Sequence, residues 1–206
     1  MSDSVAFIGD VHGCLPALQS MIGVLSEAGV NEIVLLGDYI NKGADGPAVI
    51  NYLISLDSDD RVVALRGNHE SALLDCLDSG DVRPLLRMSG APTIRSYVGG
   101  DVGPHVADSL RASVPLEHVE FLRKLPERYL ANDVVASHKA VAIGDLFSVS
   151  AHVYVGSTPR LSEYAAEIDT GCGSPQGILT GFLWPSRSYV QVDMNGRVIR
   201  PVQGRA

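Results

Sequence analysis

Three short apolar runs punctuate the first third of the chain, Val5 to Ile8, Ile33 to Leu36 and Val62 to Leu65, and each is closed by a glycine-containing polar loop. Runs of this length bounded by turn residues predict buried strands, and the stretches after them read as helices. Strands alternating with helices in this way predict βαβ units, whose sequential strands lie parallel and close together. Ligands in such sheets bind beyond the carboxyl ends of the strands. The loops there read Gly9-Asp10-Val11-His12-Gly13, then Gly37-Asp38-Tyr39 running to Gly43, then Gly67-Asn68-His69-Glu70. Asp10, His12, Asp38, Asn68 and His69 are therefore expected at one end of one sheet. Glycines on both sides permit tight turns and close backbone approach, and the donor set of carboxylate, amide oxygen and imidazole suits Mn, Fe, Zn or Mg.

These loops resemble those of the calcineurin-like metallophosphoesterases, in the branch that holds the serine/threonine protein phosphatases of bacterial and phage type. That branch carries GDxHG, GDxxDRG and GNHE loops, and the spacings here fit it, with 23 residues between Gly13 and Gly37 and 23 between Gly43 and Gly67. Each fragment alone is a weak signal; three in order, each in a strand-loop-helix context, are specific. The likeness continues through Glu117 to Pro126, Tyr129 to His138, Ile168 to Cys172 and Ile178 to Thr180, which covers nearly the whole chain. It implies an α/β fold, a four-layer αββα sandwich of two mixed β-sheets flanked by helices, in one domain over residues 1–206.

The resemblance also implies a ligand set for two divalent cations, manganese first, with iron, zinc or magnesium as alternatives. Asp10 and His12 would hold one, Asn68 and His138 the other, and the Asp38 carboxylate would bridge them. A water acidified by both cations would attack phosphorus in line. Arg66 stands where the family grips phosphoryl oxygens, a task suited to its planar fork. His69 would protonate the leaving oxygen as a general acid. The expected reaction is hydrolysis of a phosphomonoester, borne by a protein or a small molecule. Dinucleoside-polyphosphate or phosphodiester hydrolysis is one alternative, and an inactive phosphate-binding relative is another.

Two departures qualify this. The family's Asp-Arg pair is replaced by Asn41-Lys42. Asn41 can accept a hydrogen bond from an imidazole but carries no charge to stabilise the imidazolium. Lys42 keeps a positive charge for substrate binding without the bidentate geometry. Both changes favour a substrate with a good leaving group, such as a phosphoanhydride or an aryl ester. The last metal ligand is also ambiguous. His152 follows Ala151 at a plausible position, whereas Val153 to Pro159 resembles the local motif more closely and puts Ser157 in the histidine's place. A hairpin over Ala140 to Val149 would shift either alignment. A parallel strand would need a crossover of about a dozen residues, which favours the serine.

The rest of the composition narrows the partners. A chain of 206 residues, 46% hydrophobic and 19% charged, is ordinary for a globular enzyme. Its formal charge of −8 argues against a nucleic-acid footprint. No apolar run reaches the ~18 residues of a membrane span, and Met1-Ser2-Asp3-Ser4 lacks the features of a signal peptide, so a cytoplasmic location is the default expectation. Cys14, Cys76 and Cys172 lack Cys-x-x-Cys spacing and read as free thiols. Ser89 to Pro104, rich in Gly, Ser and Pro, reads as a loop region beside the site that helps select substrate. His105 and His118 read as ordinary surface or core histidines. Glu70 reads as an acidic residue opening a helix, and Asp169 as a candidate hydrogen-bond partner for a ligand histidine.

Overall fold

The structure, a computed structural model, describes residues 4–99, 103–131 and 133–201. Met1 to Asp3, part of the stretch read for a leader, lie outside the described residues. Strands β1 (Val5–Ile8), β2 (Glu32–Leu35) and β3 (Val62–Ala64) run parallel, as the three apolar runs predict. Helices α1 (Leu15–Glu27) and α2 (Gly46–Leu56) connect them, and α3 (Asn68–Ser79) follows β3 directly. Each of α1 and α2 carries a proline in its first turn, where the missing N–H costs nothing.

A second helical group follows: α4 (Arg83–Arg87), α5 (Ala91–Val98), α6 (Val106–Ser113) and α7 (Leu116–Lys124). Half of the Ser89 to Pro104 stretch is therefore helix α5 rather than loop, and residues 100–102 of it lie outside the described residues. The Pro and Ser at its start, Pro92 and Ser89, sit in and before the first helical turn, where they begin a helix rather than break one.

The remaining strands are β4 (Arg128–Ala131), β5 (Val134–Ser137), β6 (Phe147–Tyr154), β7 (Arg160–Leu161), β8 (Ala165–Asp169), β9 (Ile178–Trp184), β10 (Ser188–Asp193) and β11 (Val198–Arg200). One sheet has the order β11-β10-β9-β1-β2-β3 and the other β4-β5-β6-β8-β7, both mixed. Two mixed sheets flanked by helices are the expected class.

The layers follow from side-chain alternation. On β1, Val5 and Phe7 enter the core between the sheets with Val34, Leu65, Ala136, Val149 and Ile168. Ala6 and Ile8 face the other way, into a core with Leu18, Met21, Ile50, Leu73 and Phe121. Both faces are buried, which is why the strand reads as an unbroken apolar run. The buried apolar residues of α1 to α7 all join that second core, so the helical cover gathers on the first sheet. The links of the second sheet are too short for helices: nine residues, 138–146, join β5 to β6.

That link also corrects two readings. β5 and β6 are parallel, pairing Val134 with Phe147 and Ala136 with Val149, so residues 140–149 form no hairpin. The crossover is shorter than a dozen residues because it carries no helix and only steps to the neighbouring strand. Beyond Ser150 the β6–β8 register shifts before resuming at Tyr154 with Asp169. The irregularity brackets His152, and shifts of this kind re-aim side chains.

Candidate metal centre

The three loops at the carboxyl ends of β1, β2 and β3 are joined backbone to backbone. Val11 and His12 N–H groups donate to the Asp38 carbonyl at 3.1 and 2.9 Å, Gly13 N–H to Tyr39 O at 2.8 Å, and Gly43 N–H to His12 O at 3.0 Å. Two glycine contacts allow this. A side chain on Gly43 would start 2.5 Å from His12 O, and one on Gly37 would start 2.5 Å from Gly67 N. His12 (φ 45°) and Asp38 (φ 54°) are non-glycine residues in the left-handed region, strain of the kind that persists where surrounding structure over-determines it.

Glu70 fastens the second loop to the third. Fully buried, its Oε2 accepts Asp38 N–H at 2.9 Å and Gly67 N–H at 3.0 Å, while Oε1 accepts Tyr39 N–H at 2.8 Å and Ile40 N–H at 3.4 Å. In return the Asp38 Oδ1 accepts His69 N–H at 3.1 Å. Its position in the first turn of α3 was legible; its grip on the loop of Asp38, 32 residues earlier, was not.

Seven side chains converge beyond these loops. His12 Nε2 lies 3.4 Å from Asp10 Oδ2 and 4.0 Å from Asp38 Oδ2. On the other side His138 Nε2 lies 2.6 Å from Asn68 Oδ1 and 3.5 Å from Asp38 Oδ2. His152 Nδ1 stands 3.0 Å from Asn68 Oδ1 and 3.2 Å from His138 Nε2. The structure thus brings His152 into the cluster. Ser157 lies elsewhere, its carbonyl accepting Gln191 Nε2 at 2.8 Å. His69 Nε2 is 3.5 Å from Asp38 Oδ2, and its Nδ1 meets Asn41 Nδ2 at 2.7 Å.

These groups fit a cation chemically. Asp10 Oδ1, His12 Nε2 and His138 Nδ1 are buried with no hydrogen-bond partner among the described residues, an expensive state for polar atoms. His12 Nδ1 donates to Ile40 O at 2.9 Å, which leaves the Nε2 lone pair pointing at the two carboxylates. The sets His12, Asp38, His69 and Asp10, Asp38, His138 each gather ligand atoms within 4.8 Å, and both include Asp38. Asn68 and His152 extend the second.

Electrostatics point the same way. Burial, then the neighbouring carboxylates, hold Asp10 and Asp38 well above the usual carboxylate range. Burial first, with Lys42 next, pushes His12 down to about 2 and His69 to about 4. Burial and the neighbouring His152 push His138 to about 3. Clustered carboxylates resist ionising and imidazoles resist protonation; a bound cation would stabilise the ionised carboxylates and be coordinated by the neutral imidazoles.

The remaining predicted residues border the cluster. Arg66 and Asn68 line a cavity of about 340 Å³ with Glu127, Arg128, His138 and Lys139. Lys42 lines a separate one of about 410 Å³ with Tyr154, Ser157 and Asp169. The Asp169 carboxylate accepts Gly171 N–H at 2.8 Å, and no described hydrogen bond joins it to a histidine of the cluster. The second loop leans on the 89–99 segment: Asn41 N–H donates to Thr93 Oγ1 at 2.8 Å and Lys42 N–H to Ser89 O at 3.2 Å. All three cysteines are free and buried. His118 is a satisfied buried histidine, between Tyr97 Oη and Asn51 Oδ1 at 2.8 Å each. No described helix is long and apolar enough to cross a membrane.

Comparison with known proteins agrees with this geometry. The calcineurin-like phosphoesterase family model matches residues 4–156. A zinc-dependent endopolyphosphatase of Saccharomyces cerevisiae is 36% identical over 74 residues, 34% of this chain and 22% of its own length. A symmetrical bis(5'-nucleosyl)-tetraphosphatase of Cellvibrio japonicus is 32% identical over 95 residues, 42% of this chain and 34% of its own. The chain therefore matches about a fifth to a third of the length of these relatives. Among solved structures, the cold-active protein-tyrosine phosphatase of a psychrophilic Shewanella species superposes with TM-score 0.60 over 97% of this chain and 82% of its own, at 15% identity. At that identity the likeness speaks for the fold.

Proposed function

The chain belongs to the calcineurin-like phosphoesterase family, and from that membership we infer that it is a hydrolase of phosphoric esters and anhydrides using two divalent cations. One observation carries the reading: Asp38 Oδ2 lies 4.0 Å from His12 Nε2 and 3.5 Å from His138 Nε2, between two separate sets of donors. Asp10, His12 and Asp38 would hold one cation, and Asp38, Asn68, His138 and His152 the other. Such a pair, when bound, acidifies a water and neutralises charge on the phosphoryl oxygens.

The protein's own groups supply the rest. Arg66 offers a planar fork to the phosphoryl oxygens, and Lys42 a point charge at the second cavity. Asn41 meets His69 Nδ1 at 2.7 Å as a neutral amide, and the other ring nitrogen, Nε2, lies on the Asp38 side. His69 is then a hydrogen-bond donor to the leaving oxygen that no carboxylate assists. The alkoxide of a phosphoserine needs strong protonation; a phosphate or phenolate leaving group needs little. This favours an anhydride or aryl ester over a protein serine phosphate, in line with similarity to an endopolyphosphatase and a nucleosyl-tetraphosphatase.

The test is metal-stripped protein titrated with Mn and assayed on p-nitrophenyl phosphate, a phosphoserine peptide and a dinucleoside tetraphosphate, beside Asp38→Asn. Two metals per chain and anhydride turnover lost in Asp38→Asn are expected. Turnover that survives Asp38→Asn, or saturation at one metal per chain, would overturn the two-cation reading.

A further inference from the structure

We propose that Arg128 and Lys139 form a subsite for a second phosphoryl group, so that the preferred substrate is a chain of phosphoanhydrides and these two residues set the preference. The inference rests on the hydrolase reading above and specifies its substrate. The cavity of about 340 Å³ opens directly from Asn68 and His138 and is walled beyond them by Arg66, Arg128 and Lys139. Three cations meet one carboxylate there, in a chain whose formal charge is −8. The lining includes no Phe, Tyr or Trp; Ser71 and Ser137 supply hydroxyls, and Ala140 and Val141 the apolar contribution. Such a lining suits an anionic chain better than a nucleobase or an apolar side chain.

Backbone structure fixes the two cations on one wall. Arg128 pairs directly with Ser137 across the antiparallel β4–β5 ladder, and directly opposite residues share a face. Lys139 is held two residues on, its carbonyl accepting Ser137 Oγ at 2.6 Å. Arg66 N–H donates to Pro126 O at 2.9 Å, which brings the end of β3 beside the start of β4. Arg66 lies two residues before Asn68 and Lys139 adjoins His138, while Arg128, opposite Ser137, extends the positive charge along β4. Glu127 is the opposing carboxylate. It sits 3.5 Å from Arg66 Nη2 with its side chain 77% exposed, a rim ion pair that solvent weakens and a phosphate can displace. Among the described residues neither Arg128 nor Lys139 forms a salt bridge.

The experiment compares Arg128→Ala, Lys139→Ala and the double variant with wild type, all as Mn-loaded full chain. The readout is the ratio of kcat/KM on inorganic tripolyphosphate to that on p-nitrophenyl phosphate, with dinucleoside tetraphosphate and an acidic phosphoserine peptide as further arms. Each single variant lowers the tripolyphosphate ratio about tenfold, the worth of one charge-assisted hydrogen bond. Arg160→Ala, a cation of the same sheet outside the cavity, leaves it in place. An equal loss on the inorganic and nucleotide chains assigns the subsite to the phosphates alone; a larger loss on one names the source. A ratio that does not move, or a loss confined to the acidic peptide, overturns the proposal. Calorimetric binding of tripolyphosphate and orthophosphate separates the two levels of inference. If no substrate turns over but tripolyphosphate binds at least ten times tighter than orthophosphate and the double variant loses that margin, the subsite stands and the hydrolase reading falls. If tripolyphosphate binds no tighter, the subsite falls.

Discussion

Replacing Glu70 by glutamine should loosen the metal centre without changing the side chain of any proposed ligand. The carboxylate accepts four buried backbone N–H groups, two on each oxygen: Asp38 and Gly67 on Oε2, Tyr39 and Ile40 on Oε1. Glutamine has the same shape but one acceptor. Whichever way its amide turns, an NH₂ faces two N–H donors. Two buried unsatisfied donors cost about 1–3 kcal/mol each. Relief from burying a charge returns part of this, since burial is the largest influence raising the Glu70 carboxyl above its ordinary range. A net destabilisation of about 3 kcal/mol follows. With m of about 2 kcal/mol/M in urea, the unfolding midpoint should fall by roughly 1.5 M. Because Glu70 holds Asp38 N–H, Mn affinity measured by calorimetry should fall in parallel. Glu127→Gln, which alters an exposed carboxylate, is the control and should leave the midpoint in place. A Glu70→Gln midpoint within about 0.2 M of wild type, with unchanged Mn affinity, would refute the argument that this carboxylate fastens the loops together.

His152→Ala should reduce the affinity of the more weakly held cation at least tenfold while Ser157→Ala does not, as counted by metal analysis after dialysis; equal retention in both would dissociate His152 from the centre. Asn41→Asp places a carboxylate 2.7 Å from the His69 ring, which should raise that imidazole from about 4 by roughly 1–3 units. Hydrolysis of a phosphoserine peptide relative to p-nitrophenyl phosphate should then rise about tenfold, and an unchanged ratio would remove His69 as the leaving-group acid. Burial lowers the pKa of His118 from its ordinary 6.5. The unfolded chain therefore takes up the proton first, so the contribution of neutral His118 is present above about 6.5 and is lost as pH falls below it. His118→Gln, which keeps a polar side chain between Tyr97 and Asn51, should show a shallower loss of stability on acidification in thermal melts taken from about pH 7.5 to pH 5.5; parallel curves would exclude the histidine.

Much of this protein was determined by local sequence. The apolar runs ending at Ile8, Leu36 and Leu65 read as strands, buried in β1 and nearly so in β2 but only half-buried in β3, and the glycines at 9, 13, 37, 43 and 67 marked the turns after them. Parallel pairing of those strands then had to bring Asp10, His12, Asp38 and Asn68 to one edge, because βαβ units put every strand end on the same side. What lay outside such reasoning depends on contacts across long stretches of chain. Composition made Ser89 to Pro104 look like a loop, yet half of it, packed against α2 and α6, is a helix whose Thr93 holds Asn41. Glu70 looked like a residue at a helix start, and only the approach of two loops gave it four donors to accept. His152 could not be chosen over Ser157 from spacing, because side-chain direction in a strand alternates with register and the β6–β8 register shifts around that residue. The sequence set which groups reach the end of the sheet; the register and loop contacts of the folded chain decided which way they point.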